Sequence, residues 1–150
     1  MSSPTMHTAR GGCYCGNIRL ELSLTQEPGH YRPRACDCGF CRKHGAAYLS
    51  DPEGSLAIRI DDPSRTATFR QGNELAEMLL CGRCGVLVGA LYRSDAGIYA
   101  TVNAKAIDGA AAEFGNEQPV SPKQLSGEEK TLRWKKLWFS NVKTSGLPAL

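Results

Sequence analysis

The sequence predicts a small, mainly β protein on three grounds. At least six short segments between Asn17 and Asn103 alternate or concentrate apolar residues as β-strands do. The chain shows no long run with helical periodicity. The 150 residues include 16 glycines and 8 prolines but only 7% aromatic residues, which is typical of a turn-rich protein. Such a chain is expected to need cross-links for part of its stability.

Length and charge exclude several classes of protein. The length favours one domain, which we place at 11–143 between flexible tails at 1–10 and 144–150. A net charge of +3 and a pI near 8.5 are too mild to indicate nucleic acid. No apolar run approaches the ~18 residues of a membrane span, and the first ten residues lack a signal-peptide core. We therefore expect a cytoplasmic protein, with no nucleic-acid or membrane partner and an oligomeric state that the sequence leaves open.

The strands can be assigned in chain order. The clearest is 17–24, where Ile18, Leu20, Leu22 and Leu24 alternate with polar residues, and a loop follows at 26–33. Further strands or short apolar segments are predicted at 46–49, 56–60, 66–70, 77–80, 86–92 and 97–103. Turns are predicted at 51–54, 61–63 and 71–73.

The C-terminal part is less regular. Residues 110–117 suggest a short helical turn, and 118–127 are predicted to be loop by composition. Residues 128–142 contain Trp134, Trp138 and several basic residues, and their apolar positions fit neither the helical nor the β-strand period. Their aromatic side chains either close the edge of the sheet or form a partner-binding surface, and we favour the first.

All seven cysteines lie in three short groups, which indicates metal binding. Zinc commonly takes four ligands as two Cys-Cys hooks from distant parts of a chain. Cys13 and Cys15 with Cys81 and Cys84 supply such hooks. A glycine follows each hook, so the backbone can turn beneath a metal without a steric penalty. These four residues therefore predict a structural zinc site.

The central group is Cys36, Cys38 and Cys41, three thiols with one coordination position open. An open position distinguishes reactive zinc sites from structural ones. Three alternatives remain: disulfides, one zinc with three free thiols, and His44 as a fourth ligand. We expect two zinc ions per chain, with a water or a thiol at the open position.

Three motifs, GGCYCGNIRL, CxCxxCRKxG and CxxCG before an apolar strand, carry a family resemblance over roughly residues 11–109. In this order they resemble the glutathione-dependent formaldehyde-activating enzyme (GFA) family, which also includes centromere protein V. The resemblance implies a β-tent fold of short antiparallel sheets cross-linked by zinc. It assigns the four outer cysteines to a structural zinc and the central three to a catalytic zinc. The family usually has His where this chain has Asp37.

A zinc ion held by three thiolates is soft and electron-rich, so it suits thiol capture better than hydrolysis. Glutathione is such a thiol and is anionic, and Arg42 and Lys43 are the expected substrate-binding cations, with Arg32 and Arg34 as further candidates. The predicted activity is that of a carbon–sulfur lyase acting on an adduct such as S-hydroxymethylglutathione. The sequence does not single out a proton donor among Asp37, His44 and Tyr48. The alternative is a non-catalytic, zinc-stabilised binding module.

Overall fold

A computed structural model describes residues 6–70, 75–109 and 113–148. Within these ranges the chain forms eleven strands and two α-helices, so the mainly β prediction is confirmed. The strands are β1 His7–Gly12, β2 Ile18–Leu24, β3 Arg34–Cys36, β4 Tyr48–Leu49, β5 Ser55–Ile60, β6 Thr66–Arg70, β7 Glu77–Cys81, β8 Leu87–Ser94, β9 Gly97–Asn103, β10 Gln118–Val120 and β11 Asn141–Ser145. The helices are α1 Gly39–His44 and α2 Gly127–Leu137.

The strands form two sheets. A four-stranded sheet has the order β1-β2-β5-β11, and a seven-stranded sheet has the order β10-β3-β4-β9-β8-β7-β6. Most pairs are antiparallel, as predicted, but β10 pairs in parallel with β3, and β11 pairs in parallel with β5. Both parallel strands come from the last third of the chain and are added at a sheet edge, an arrangement that periodicity alone does not reveal.

The main core lies between the sheets and follows the alternation of β2. Ile18, Leu20, Leu22 and Leu24 are all buried, while Arg19 and Glu21 are exposed. Leu56 and Ile58 on β5 pair with Leu22 and Leu20 and extend this face. Each such side chain stabilises the fold by about 1.5 to 3 kcal/mol. The predicted strand at 17–24 is therefore also the strand that organises this core.

Ordered structure begins inside the segment that we expected to be a tail. His7–Gly12 forms β1 and pairs with β2 along its whole length. Only Ala9 of β1 is fully buried, so backbone hydrogen bonding rather than an apolar face defines this strand. Thr144 and Ser145 likewise complete β11 instead of beginning a second tail.

The C-terminal third differs most from the sequence-based expectation. Residues 118–120 form β10 rather than loop, and 113–117 are not helical. The ambiguous 128–142 segment divides into α2 and β11, with Phe139 buried between them. A capping box begins α2, because the Ser126 hydroxyl accepts from the Glu129 backbone and the Glu129 carboxylate accepts from the Ser126 backbone. Residues 71–73 and 110–112, where we predicted a turn and part of a helical turn, lie outside the described residues.

The two tryptophans of this segment pack inward, but they do not close the edge of the sheet as the favoured interpretation expected. Trp134 and Trp138 are buried, with their rings stacked 4.9 Å apart. They cover the face of the seven-stranded sheet rather than its edge, packing with Tyr48, Met78 and Ala90. In the described part of the chain, no helix has the length and apolarity needed to span a membrane.

Candidate metal centres and the cavity beside one of them

The outer four cysteines meet at one point between the two sheets. Cys13 and Cys15 lie in the turn from β1 to β2, while Cys81 ends β7 and Cys84 lies in the turn from β7 to β8. All four sulfurs lie within 4.8 Å of one another. Cys15 Sγ is 3.7 Å from Cys13 Sγ and 3.6 Å from Cys81 Sγ. Tetrahedral zinc with bonds of about 2.3 Å requires sulfurs roughly 3.8 Å apart, so this cluster fits zinc.

Backbone N–H groups donate to several of these sulfurs, although burial raises the pKa of Cys13 to about 11. Cys13 Sγ accepts from the Ile18 backbone at 3.2 Å, and Cys81 Sγ accepts from the Arg83 backbone at 3.3 Å. Burial acts to raise the pKa of Cys84, yet hydrogen bonds from the backbone outweigh it and lower that pKa to about 6. Gly16 and Gly85 take positive φ angles of 85° and 82°, as predicted from their place after each hook.

The central three cysteines form a second cluster at the start of α1. Cys36 ends β3, Cys38 is the N-cap of α1, and Cys41 is buried in the first turns of that helix. Their sulfurs lie within 4.8 Å of one another. Among the residues that the structure describes, no histidine, aspartate or glutamate joins this set. The cluster therefore offers a metal three thiolates and leaves one tetrahedral position open.

The polar residues that directly follow Cys41 point away from the cluster. Arg42, Lys43 and His44 are all exposed, and the His44 ring packs on Phe40 with ring centroids 4.6 Å apart. Arg42 and Lys43, one and two residues after Cys41, project to other faces of the helix, while His44, three residues after Cys41, packs its ring on Phe40 instead. Sequence proximity to Cys41 therefore does not bring these side chains to its sulfur.

A cavity of about 130 Å³ opens beside the three sulfurs. One face of the seven-stranded sheet forms its floor, because cross-strand partners place Arg34 beside Tyr48, Thr101 beside Ala90, and Ala90 beside Met78. Cys36 is two residues from Arg34 on β3, so both side chains lie on this face. The sheet thus positions a cysteine ligand, a hydroxyl and a guanidinium around one space.

Helix α2 covers the cavity from above. Arg133, Trp134 and Trp138 line it, together with Val120 at the end of β10 and Pro122 just after it. Residues 128–142, which contain Arg133 and both tryptophans, fitted neither period, although the Ser126-Gly-Glu-Glu129 pattern is a recognisable helix start. Arg133 and the two tryptophans are therefore site residues that sequence reasoning missed.

Tyr48 is the proton donor candidate that faces the cluster. Its hydroxyl lies 3.1 Å from Cys41 Sγ, and its side chain is buried in the cavity wall. Burial and the neighbouring thiol Cys41 raise the pKa of Tyr48 far above its usual value, so the hydroxyl stays protonated. Asp37 and His44 do not line the cavity, and the Asp37 carboxylate lies 3.8 Å from Lys123 Nζ.

The thiols of the cluster ionise unequally. A hydrogen bond from Cys41 is the main reason that the pKa of Cys36 falls to about 6, while the same bond and burial raise the pKa of Cys41. Cys36 therefore provides the first thiolate, and its two neighbours support that charge.

The profile of the glutathione-dependent formaldehyde-activating enzyme family matches residues 8–124. The chain belongs to the GFA family. This match covers both cysteine clusters and β1 to β10, so it extends past the motifs from which the resemblance was recognised. No curated protein matches the chain significantly.

One solved structure similar to this GFA-family chain is a crystal structure of a Rhodobacter sphaeroides protein from the Northeast Structural Genomics effort. It is 27% identical, covers 67% of this chain and 89% of its own, and superposes with a TM-score of 0.51. The likeness supports the fold of this GFA-family chain.

His44→Ala is expected to leave the zinc content of the GFA-family chain unchanged. His44 is exposed and absent from the ligand cluster, so its removal takes no donor from the metal. Zinc per chain, measured by elemental analysis of the purified variant, checks this. Loss of about one zinc ion relative to wild type would instead make His44 the fourth ligand.

Proposed function

We propose that this GFA-family chain binds two zinc ions and uses one to act on a small thiol such as glutathione. Cys13, Cys15, Cys81 and Cys84 would hold a structural zinc, and Cys36, Cys38 and Cys41 a reactive one. The reaction would form or break the carbon–sulfur bond of a thiol–aldehyde adduct such as S-hydroxymethylglutathione. The observation that carries this proposal is the three-sulfur cluster, one ligand short of a closed site, at the wall of a cavity.

The donor set favours thiol chemistry. Three thiolates leave a bound Zn²⁺ with a net negative charge and a soft ligand field, which blunts the acidification of water. When bound, the metal would lower the pKa of an entering thiol and hold it as the thiolate nucleophile. The four-sulfur cluster has no vacant position, so its contribution would be to stability alone.

In the synthetic direction, the thiolate sulfur attacks the carbonyl carbon of the aldehyde. A carbon–sulfur bond forms, the carbonyl π pair moves to oxygen, and that oxygen takes a proton from solvent, equal to the one that the thiol released, to give the hydroxymethyl thioether. We assign the donation of a hydrogen bond to this oxygen to Tyr48, which lines the cavity and stays protonated. Trp134 and Trp138 limit the access of water to the reacting atoms.

Arg42 and Lys43 retain a narrower role in this proposal. Both are exposed and lie outside the cavity lining. A cavity of about 130 Å³ is close to the ~150 Å³ that encloses a benzene molecule, and glutathione is several times larger. These two cations would therefore meet only a part of the tripeptide that extends beyond the cavity.

Exchange spectroscopy on mixtures of formaldehyde and glutathione tests the proposal. The uncatalysed reaction is appreciable, so the expected result is an interconversion rate above that of the same mixture without protein. Tyr48→Phe should lower this excess rate by about 10- to 100-fold while zinc content and glutathione affinity stay near wild type. Tyr14→Phe, at a fully exposed tyrosine beside the other cluster, is the matched control and should change nothing.

The outcomes separate the two classes of function. Bound glutathione without an excess rate would exclude the enzyme and leave a thiol-binding protein. If glutathione does not bind to the zinc-loaded chain at about 1 mM, both the enzyme and the thiol-binding protein are excluded, and the non-catalytic module is favoured. An unchanged rate in Tyr48→Phe would remove the tyrosine from the mechanism.

A further inference from the structure

The cavity contains two guanidinium groups that the thiol chemistry does not require. Arg34 lies on its sheet side and Arg133 on its helix side. Among the described residues, neither guanidinium forms an ion pair with a carboxylate. Arg34 is largely buried, and a buried cation without an acidic partner is costly unless a ligand supplies the opposite charge.

The surroundings of Arg34 hold it in place without neutralising it. Its Nη2 donates to Ser50 Oγ at 2.7 Å and to Thr101 Oγ1 at 3.4 Å. Both hydroxyl protons are committed elsewhere, because Ser50 donates to the Leu137 carbonyl and Thr101 to the Leu49 carbonyl. The two oxygens can only accept from Arg34, so they fix the direction of the guanidinium but add no negative charge.

The two carboxylates of the groove next to Arg34 form no ion pair with it. Arg34 borders this neighbouring groove, which contains the buried Asp51 and the exposed Glu53. The Asp51 carboxylate accepts from Thr25, from the Tyr31 hydroxyl and from the Glu53 backbone. These bonds occupy both of its oxygens. Among the described residues, the two arginines of the cavity therefore lack a carboxylate ion-pair partner.

Size and charge together define the ligand. We propose that Arg34 and Arg133 form an anion subsite, and that the substrate is a compact thiol carrying a carboxylate a few bonds from its sulfur. This inference rests on the proposed function, because the sulfur would lie at the three-cysteine cluster. Arg34 and Cys36 are two residues apart on one face of β3, a separation of about 6.6 Å between their Cα atoms. A sulfur and a carboxylate of one small molecule can span the two groups.

A simpler role for the arginines makes a different prediction. If they only offset the charge of the bound thiolate, they would favour every thiol equally. A carboxylate would then bind less well than a neutral group, because the thiolate cluster repels it. The affinity ratio between a carboxylate and its neutral isostere therefore separates recognition of the ligand from general charge balance.

The test is calorimetric titration of the full chain, loaded with zinc, with 3-mercaptopropionate and with 3-mercaptopropionamide. Wild type should bind the acid at least about tenfold more tightly than the amide. Arg34→Gln and Arg133→Gln should each reduce this preference to near unity or reverse it. Lys135→Gln, an equal loss of charge at an exposed residue of the same helix as Arg133 and outside the cavity lining, should preserve the preference. Arg133→Gln keeps the test valid if Arg34→Gln destabilises the fold, since Arg133 lies on the covering helix.

Equal affinities for acid and amide in wild type would overturn the anion subsite and leave the thiol site intact. The anion subsite is also overturned if Lys135→Gln lowers the preference as much as Arg34→Gln does. If neither probe binds but glutathione does, the anion subsite fails and the proposed function stands. If glutathione also fails to bind to the zinc-loaded chain, the proposed function itself fails, so the two failures are distinguishable.

Discussion

Cys84→Ser is expected to leave the chain unfolded at 25 °C. The four-cysteine cluster joins the turn between β1 and β2 to the turn between β7 and β8, so it ties the two sheets together. Structural zinc contributes roughly 10 to 16 kcal/mol of apparent binding free energy in zinc-finger peptides. This is comparable to the whole stability of a typical domain, about 5 to 15 kcal/mol. Far-UV circular dichroism and thermal melting would measure the loss.

Cys38→Ser is the matched control, because Cys38 is also partly buried and belongs to the other cluster. It should retain the β-sheet spectrum and a cooperative melt. If Cys84→Ser melts as wild type does, the four-sulfur cluster is not the structural cross-link that we propose.

Cys38→Ser and Cys41→Ala are expected to abolish thiol binding while the fold persists. Each removes one of only three sulfur donors, so the remaining site no longer retains zinc at ordinary concentrations. Calorimetric titration with glutathione should show no binding at about 1 mM, where wild type is expected to bind. The variants should still contain one zinc ion per chain. Wild-type affinity in either variant would show that the thiol binds elsewhere.

The sequence predicted the two cysteine clusters because short cysteine hooks are local patterns with few alternative uses. It predicted β2 because Ile18 to Leu24 alternates on a single buried face. It also indicated the strands on either side of Cys81 and Cys84 from their apolar runs. These features depend on residues close together in the chain, where periodicity and ligand spacing carry the information.

The cavity could not be predicted in the same way, because it depends on contacts between distant segments. Arg34 and Arg133 come from a strand and a helix nearly a hundred residues apart. Arg42 and Lys43 were favoured for their sequence position, but the helical turn of α1 exposes them. Trp134 and Trp138 did not fit a single period in the sequence because α2 ends at Leu137. Trp134 is therefore a helical residue, and Trp138 is the C-cap of the helix. Cross-strand pairing and helix docking, rather than local pattern, assemble the site.

We propose that one chain contains a closed and an open zinc site. The most direct test of this claim is to follow the release of zinc during chelation. Protein purified without added metal should contain two zinc ions per chain. A chelator should remove one of them first, while the circular dichroism spectrum stays unchanged and about three thiols become titratable. The second ion should leave only as the sheets unfold. A single tightly held zinc with three freely titratable thiols from the start would contradict the two-site account.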